Sequence, residues 1–331
     1  MISISKSKII SESKVANSVL EVIGNTPLVH LSRISKRTDL LVYGKLESSN
    51  PGGSIKDRTA HSIVKDGFAN GSIHANTTLV ESSSGNMAIG LAQACNYYKL
   101  PLIIVVDPKA NTHTLKILKA YGVQIEKVEE PLENGGFLAA RLERVQEILH
   151  KNPNAFWTNQ YGNEANPKAH HQTMHEIANT EVGTFDYVLV STSTCGTLMG
   201  CAKYIKTHNL PTKIIAVDAK GSVIFGQNSE NRLIPGHGAG LPSQFLNKDS
   251  VDEVVHISDW DCVQGCDTLL HEESILAGGS SGGIVSALLK IASKLPKKSK
   301  IAIILCDRGE RYMDTIYNPV WREEHFSKKN V

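Results

Sequence analysis

Lys56 stands directly behind Pro51-Gly-Gly-Ser-Ile55 and ahead of Asp57-Arg58. Paired glycines let backbone approach another group closely. A lysine in a partly desolvated pocket has a lowered pKa and can form an imine with a carbonyl compound. If Lys56 opens a helix, the macrodipole disfavours its positive charge, so the position asks for a reason other than surface solubility. Ser193-Thr-Cys-Gly-Thr197 lies between the apolar run 187–191 and a helical pattern; free backbone N–H groups and hydroxyls at such a turn suit a phosphate. Ser82-Ser-Ser-Gly-Asn86 is a similar turn of a size suited to a carboxylate, and a hydroxyl of Gly278-Gly-Ser-Ser-Gly-Gly283 could meet a ring nitrogen. Taken singly, each of these turns is also what plain helix capping produces.

The elements that must position these turns are read from hydrophobic period. Short apolar runs at 41–46, 78–81, 102–106, 123–128, 187–191, 213–217, 253–257 and 301–306 predict strands. Amphipathic stretches at 56–68, 86–98, 112–121, 136–150, 196–208 and 281–294 predict helices between them. This alternation predicts an α/β fold with mostly parallel sheets, in which ligands collect at the carboxyl ends of strands. No strand runs into a G-x-G-x-x-G turn, so a dinucleotide-binding domain is disfavoured. Segment 228–250 has Gly, Pro and Asn but no period and reads as a long ordered loop.

Bulk properties narrow the class. The chain has 331 residues, 41% of them hydrophobic, with a formal net charge of +2, so a sizeable core is expected and an affinity for nucleic acid or an anionic membrane is not. Lys297-Lys298 reads as a solvated loop before a strand. Cys95, Cys195, Cys201, Cys262, Cys266 and Cys306 form no CxxC pair and are expected as reduced thiols of a cytoplasmic protein. The polar segment 1–14 lacks the apolar core of a secretory leader, and no stretch has the length of a membrane span. His171 and His175 have i, i+4 spacing, but Gln172 stands where a metalloprotease needs its glutamate, so no metal site is expected. His170, His171 and His175 are read as surface or pocket-lining residues. Cys195 at its turn could be an activated thiol, though a small packing residue is the better reading.

Together the turns resemble the pyridoxal-phosphate (PLP) dependent β-family of fold type II, the family of cysteine synthase and cystathionine β-synthase. Ile23-Gly-Asn-Thr-Pro-Leu28 resembles its opening signature and Asn50-Pro-Gly-Gly-Ser-Ile-Lys-Asp-Arg58 its lysine motif. Ser83-Ser-Gly-Asn86 resembles its substrate-carboxylate loop, Trp157-Thr-Asn-Gln-Tyr161 with Asn166-Pro167 its glutamine segment, and Ser280-Ser281-Gly282 its pyridine-contact turn. The matching motifs run in order from about residue 21 to 316, a far more specific signal than one glycine-rich loop. The resemblance implies two three-layer α/β domains with PLP between them: 1–50 with 156–331 as the larger, cofactor-anchoring domain, and 51–155 as a smaller, mobile domain for the substrate carboxylate. It implies Lys56 as Schiff-base lysine and acid/base at Cα, and Asn86 on the cofactor's ring hydroxyl. It implies Ser193, Thr194, Cys195, Gly196 and Thr197 around the phosphate and Ser280 at the pyridine nitrogen, where a neutral hydroxyl favours β-elimination over transamination. Ser83, Ser84, Asn86 and Gln160 would hold the substrate α-carboxylate in a homodimeric enzyme.

Within the family, Met87 and Ser193 replace residues usual in cysteine synthases at the substrate. Val106-Asp-Pro-Lys109, Glu129-Glu-Pro131, Gly135-Gly136 with Arg141, Val217-Asp-Ala-Lys-Gly-Ser-Val-Ile-Phe-Gly226 and Asp307-Arg-Gly-Glu-Arg-Tyr312 resemble the N-(2-amino-2-carboxyethyl)-L-glutamate synthase branch of siderophore biosynthesis. That branch implies a β-replacement between O-phospho-L-serine and L-glutamate, a step toward 2,3-diaminopropionate. Arg141, Tyr161 and Ser193 would then meet the phosphate leaving group. Arg141 has an equal second reading, since Glu143, Arg144 and Glu147 around it describe a solvated helix face. The alternatives are a cysteine synthase using O-acetylserine or O-phosphoserine with sulfide, a serine or threonine ammonia-lyase, and a protein of this fold that only binds partners; the intact Lys56 argues against the last.

Overall fold

A computed structural model describes residues 15–133 and 135–327. The strands are β1 Leu28–His30, β2 Leu41–Leu46, β3 Thr78–Ser82, β4 Leu102–Val106, β5 Gln124–Lys127, β6 Ala155–Trp157, β7 Tyr187–Ser191, β8 Lys213–Ala219, β9 Glu253–Ile257 and β10 Lys300–Leu305. The helices are α1 Ser32–Thr38, α2 Lys56–Asn70, α3 Asn86–Tyr98, α4 Thr112–Ala120, α5 Gly136–Lys151, α6 Ala165–Ala178, α7 Gly196–Thr207, α8 Asp259–Glu273, α9 Gly279–Ile291 and α10 Pro319–Phe326. Two sheets result, one of order β1-β2-β10-β7-β8-β9 and one of order β5-β4-β3-β6; every pairing is parallel except β1 with β2. Among the described residues no helix is long and apolar enough to cross a membrane. The polar segment 1–14 lies outside the described residues.

Both faces of each sheet are covered, and the strand sequences show why. In β10, Ile301, Ile303 and Leu305 join the core under α1, α8 and α9, while Ala302 and Ile304 join the core under α6 and α7. The same alternation splits Leu189 from Val188 and Val190, and Ile215 and Val217 from Ile214 and Ala216. The smaller sheet repeats it, with Ile104 and Val106 facing one way and Val105 the other. Two-sided burial demands near-continuous apolar runs, which is why these strands are legible as blocks and not as polar–apolar alternation.

The elements the sequence did not announce have physical reasons for their silence. Strands β1 and β6 are three residues long, too short for a period to register. Because β6 pairs with β3, the expected domain boundary at 155/156 falls inside a strand of the smaller sheet. Helix α6 buries His170, Thr173, Met174 and Ile177, a face too polar to be found by hydrophobicity. Helix α8 packs through Gly265 so closely on Gly282 that a Cβ there would lie 1.9 Å from the Gly282 carbonyl oxygen. Segment 220–247 has no helix or strand.

Behind the first turn of α2 lies a buried cluster of four charges. Arg58 reaches Glu47 through Nε and Nη2 at 2.7 and 2.8 Å, and Glu176 through Nη1 and Nη2 at 2.8 and 2.7 Å. Lys45, on β2, pairs with Glu176 at 2.7 Å and donates to the Thr26 carbonyl at 2.6 Å. The remaining acceptors are also filled. Thr26 Oγ1 and Asn50 Nδ2 donate to Glu47, and the Asn25 N–H donates to Glu176. Burial works against an ionised Glu176, but Arg58 above all, then Lys45 and the Asn25 N–H, hold its carboxyl down to about 2. Such a cluster is tolerated inside only because every charge is paired and hydrogen-bonded. It joins the 24–26 turn, β2, the 47–50 loop, α2 and α6. Arg58→Met strands Glu47 without its cation and leaves Glu176 with Lys45 alone. Removal of one partner from a buried ion pair costs about 3–5 kcal/mol. Urea unfolding of the variant should show a loss of that order; a loss below about 1 kcal/mol would mean that the cluster does not brace α2.

Candidate active site

Each of the four turns delivers its key residue to the start of a helix: Lys56 opens α2, Asn86 opens α3, Gly196 opens α7, and Gly279, next to Ser280, opens α9. Three of them follow the carboxyl ends of β2, β3 and β7. The fourth follows α8 and is pinned by a backbone bridge between Ala277 and Arg308 in the segment after β10. That segment also fastens the lysine loop. Ser54 bridges Asp307, the Ile55 N–H donates to the Cys306 carbonyl at 2.8 Å, and the Arg308 N–H to Gly53 at 3.3 Å. Gly53 has φ +84°, a conformation that favours glycine. Asp57 accepts from the Gly52 N–H at 2.5 Å and closes the loop onto the helix.

Lys56 is half-buried. Burial pushes its ammonium below the ordinary lysine range, against the pull of Cys306, Asp307 and Cys195 nearby. A lysine amine so depressed, at the positive end of a helix, is suited to nucleophilic attack on a carbonyl and to passing a proton.

The 193–197 turn is built around Asn166, which sits 1% exposed. Its Nδ2 donates to Thr194 Oγ1 at 3.1 Å and to the Gln160 carbonyl at 2.7 Å, and Thr59 Oγ1 donates to its Oδ1 at 3.3 Å. A Cβ on Gly196 would stand 2.1 Å from that Oδ1, so only glycine fits. Cys195 is the helix cap at φ +64°, and burial pushes its thiol up to about 12. It is a packing residue and not a thiolate nucleophile at neutral pH. Thr197 faces His170 Nε2 at 3.3 Å, and Thr59 faces the same nitrogen at 3.1 Å. His170 is fully buried, which corrects the surface or pocket-lining reading. Burial, helped by Lys56 and Arg58, holds it well below the ordinary histidine range, so it is a neutral hydrogen-bonding strut between α2 and α7. His175, by contrast, is exposed and faces Tyr204 at 2.9 Å.

The carboxylate loop is set by a residue the sequence did not flag. Glu81, at the end of β3, is 1% exposed. It accepts from Thr158 Oγ1 at 2.5 Å, from the Gln160 N–H at 3.2 Å and from the Ser82 N–H at 2.9 Å. One buried carboxyl thus ties the Ser83–Ser84 loop to the segment carrying Gln160 and Tyr161. Ser83 is buried and Ser84 half-buried at the loop tip. Met87, expected at the substrate, is 2% exposed and packs in the core of the smaller sheet. The Asn86 amide is held by Asp307 at 2.7 Å and by Arg311. Ser280 is 8% exposed, and its hydroxyl lies near the Cys306 thiol. Ser281 is committed instead to the Cys306 N–H at 2.8 Å.

Arg141 points inward, so the solvated-face reading goes to Arg144, which pairs with Glu126 and Glu147. Arg141 Nε lies 3.3 Å from Asp107 Oδ2, yet that nitrogen is buried without a well-formed hydrogen bond. Burial raises the Tyr161 hydroxyl; Arg141, the Ser193 hydroxyl and Arg232 act on it in the opposite sense. Ser193 thus lies beside Tyr161, and the positive charges of Arg141 and of Arg232, from the 220–247 loop, act on the same hydroxyl. A cleft of about 760 Å³ between α6 and α7, lined by residues such as His171, Lys203 and Phe245, is separate from this group.

This donor set fits PLP. It offers a depressed amine for an aldehyde, a hydroxyl-rich helix N-terminus for a phosphate dianion, and a buried hydroxyl and amide for ring polar atoms. The comparisons agree. Residues 19–307 match the family model described as pyridoxal-phosphate dependent enzyme. The chain is similar to cysteine synthase from Entamoeba histolytica, at 31% identity and TM-score 0.87, covering 94% of each chain. It is similar to the O-acetylserine dependent cystathionine β-synthase from Helicobacter pylori, at 28% identity and TM-score 0.85, covering 92% of this chain and 100% of that one. It also resembles O-ureido-L-serine synthase, at 29% identity and TM-score 0.85, covering 93% and 96%.

Glu81 supplies a pH signature. Burial raises its carboxyl from an ordinary 4.5 to about 7, against the Thr158, Gln160 and Ser82 donors. Folding therefore favours the protonated form. Its contribution is complete below about pH 4.5 and is lost as pH rises through about 7. Stability measured as wild type minus Glu81→Gln should decline across that interval by a few kcal/mol and level off above it. A flat difference would mean that Glu81 is ionised throughout.

Proposed function

The chain belongs to the pyridoxal-phosphate dependent enzyme family, and within it we propose that the reaction is a β-replacement on O-phospho-L-serine, with the amine of L-glutamate as incoming nucleophile. The products are N-(2-amino-2-carboxyethyl)-L-glutamate and phosphate, on the way to 2,3-diaminopropionate for a siderophore. PLP-dependent β-replacement is the family's chemistry; the two substrates are our reading. The cluster of Arg141, Tyr161 and Ser193 carries the phosphoserine half. A phosphate leaving group carries more negative charge than acetate, and a guanidinium fork with two hydroxyls suits it. The glutamate half rests on the branch motifs from Val106 to Tyr312.

When bound, PLP supplies an electron-withdrawing imine that acidifies the substrate's Cα–H. The chain's own residues do the rest. Lys56 holds the cofactor carbon before turnover. Thr194, Gly196 and Thr197, with Ser193 and Cys195 of the same turn, hold its phosphate, and His170 keeps α2 and α7 in register. Ser280 and Asn86 meet the ring's nitrogen and hydroxyl. Ser83, Ser84, Gln160 and the backbone N–H of Asn86, at the start of α3, hold the substrate carboxylate, so that the Cα–H faces Lys56 Nζ. The Lys56 amine takes that proton, and phosphate leaves with the Cβ–O electron pair onto Arg141, Tyr161 and Ser193. The glutamate nitrogen then bonds to Cβ and loses its proton, and Lys56 Nζ returns a proton to Cα. Residues 51–155, apart from the start of α2 that the Arg58 cluster braces, are proposed as the moving part that excludes water during these steps, in a cytoplasmic homodimer.

A second reading, with sulfide as nucleophile and cysteine as product, is favoured by the similarity to a structure named cysteine synthase. Purified holoenzyme given O-phospho-L-serine with L-glutamate or with sulfide, and its products weighed by mass spectrometry, separates the two. The glutamate adduct is expected; cysteine at comparable rate with no adduct would overturn our reading. For the leaving group, Arg141→Ala should lower kcat/KM for O-phospho-L-serine about 10–100-fold, as loss of a charge-assisted fork predicts, and change O-acetyl-L-serine by less than about threefold. Equal losses on both donors would show that Arg141 does not read phosphate.

A further inference from the structure

Asn86 is the first residue of α3, on the smaller sheet, yet both ends of its amide are taken by the segment that follows β10 of the larger one. Its Nδ2 donates to Asp307 Oδ2 at 2.7 Å, and its Oδ1 accepts from Arg311 Nη1. Tyr312 donates to the same Asp307 oxygen at 2.5 Å. Arg311 uses its other amino group on the Gly52 carbonyl of the lysine loop, and its own carbonyl accepts from Asn111 Nδ2 at 3.1 Å, at the cap of α4. Asp307 is 2% exposed, and its Oδ1 has no hydrogen-bond partner.

A guanidinium can only donate, so Arg311 dictates which end of the Asn86 amide is oxygen. With the oxygen taken and one N–H given to Asp307, a single N–H is left in a fixed direction. Packing alone would not require this: a short amide at a helix start is usually satisfied by its own loop.

We propose that Asp307 and Arg311 are positioning residues that fix the Asn86 amide and present its remaining N–H to the cofactor's ring hydroxyl. This rests on the reading that Asn86 meets that hydroxyl. The hydroxyl is conjugated with the imine, so an N–H directed at it alters the absorption of the bound cofactor as well as its affinity. Asp307 and Arg311 reach the ring hydroxyl through Asn86, so that part of their effect on the cofactor band vanishes when Asn86 is absent.

The test is a double-mutant cycle on the holoenzyme, read by the visible absorption maximum and by the dissociation constant for pyridoxal phosphate. Asn86→Ala and Asp307→Ala should each shift the band and weaken cofactor binding about tenfold, the worth of one charge-assisted hydrogen bond. The double variant should match Asn86→Ala alone. Asp307→Asn keeps an acceptor for Asn86 and should stay within about threefold of wild type, and it carries the test together with Arg311→Met if Asp307→Ala does not fold. Additive effects, or an Asp307→Ala protein with the wild-type band and affinity, would overturn the proposal. An Asn86→Ala protein with the wild-type band would overturn the Asn86 reading itself, and the proposal with it.

Discussion

The pairing of Arg58 with Glu47 and Glu176, with Lys45 beside them, is the constraint on which the rest depends. These charges are buried, so they persist only in an arrangement that satisfies all of them together. That arrangement fixes the direction from which α2 starts, and Lys56 is its first residue. It also gives a structural part to two of the stretches that resemble family motifs. The turn at Gly24-Asn25-Thr26 and the side chain of Asn50 spend their polar groups on Glu47, Glu176 and Lys45. Their part in the chemistry is to hold the lysine's helix and loop at rest.

Around this anchor, the site is assembled by a few buried polar residues that each join two or three elements. Asn166 ties the glutamine segment to the 193–197 turn and to α2. His170 ties α2 to α7 as a neutral ring. Glu81 ties the serine loop to the strand-end bearing Gln160 and Tyr161. Asp307 and Arg311 tie the start of α3 to the lysine loop. In a low-dielectric interior such bonds are costly to break, so each turn has little freedom to drift. The outcome is a preorganised set of donors, in which electrostatic catalysis needs no rearrangement.

The chemistry follows from the kinds of groups so held. A depressed lysine amine, hydroxyl-rich helix starts and an inward arginine are the kinds of groups that the proposed nucleophile, anion sites and leaving-group exit need. Among the described residues, no three histidine, cysteine, aspartate or glutamate side chains gather in a metal cage. The thiols of Cys95, Cys195, Cys201, Cys262, Cys266 and Cys306 are all raised by burial, which suits packing in every case.

By itself the sequence determined the α/β alternation, most strand positions and the four helix-opening turns, with Lys56 at the start of its helix. These are local properties: a two-sided buried strand must be an apolar run, and a backbone packed closely on another group must contain glycine. Only the tertiary structure decided which distant residues meet. Nothing near Arg141 in the chain says that it faces Asp107 while Arg144 is the more exposed of the two, because both lie on one charged helix and differ only in rotation. Nothing near Glu81, His170 or Asp307 marks them as struts, because the partners they join across elements, Thr158, Thr197 and Asn86, lie 77, 27 and 221 residues away. Its place in a motif puts Met87 at the substrate, whereas the packing of α3 on the smaller sheet turns it into the core. A hydrogen bond across that distance has no local period; it exists only once two sheets and their helices have closed around it.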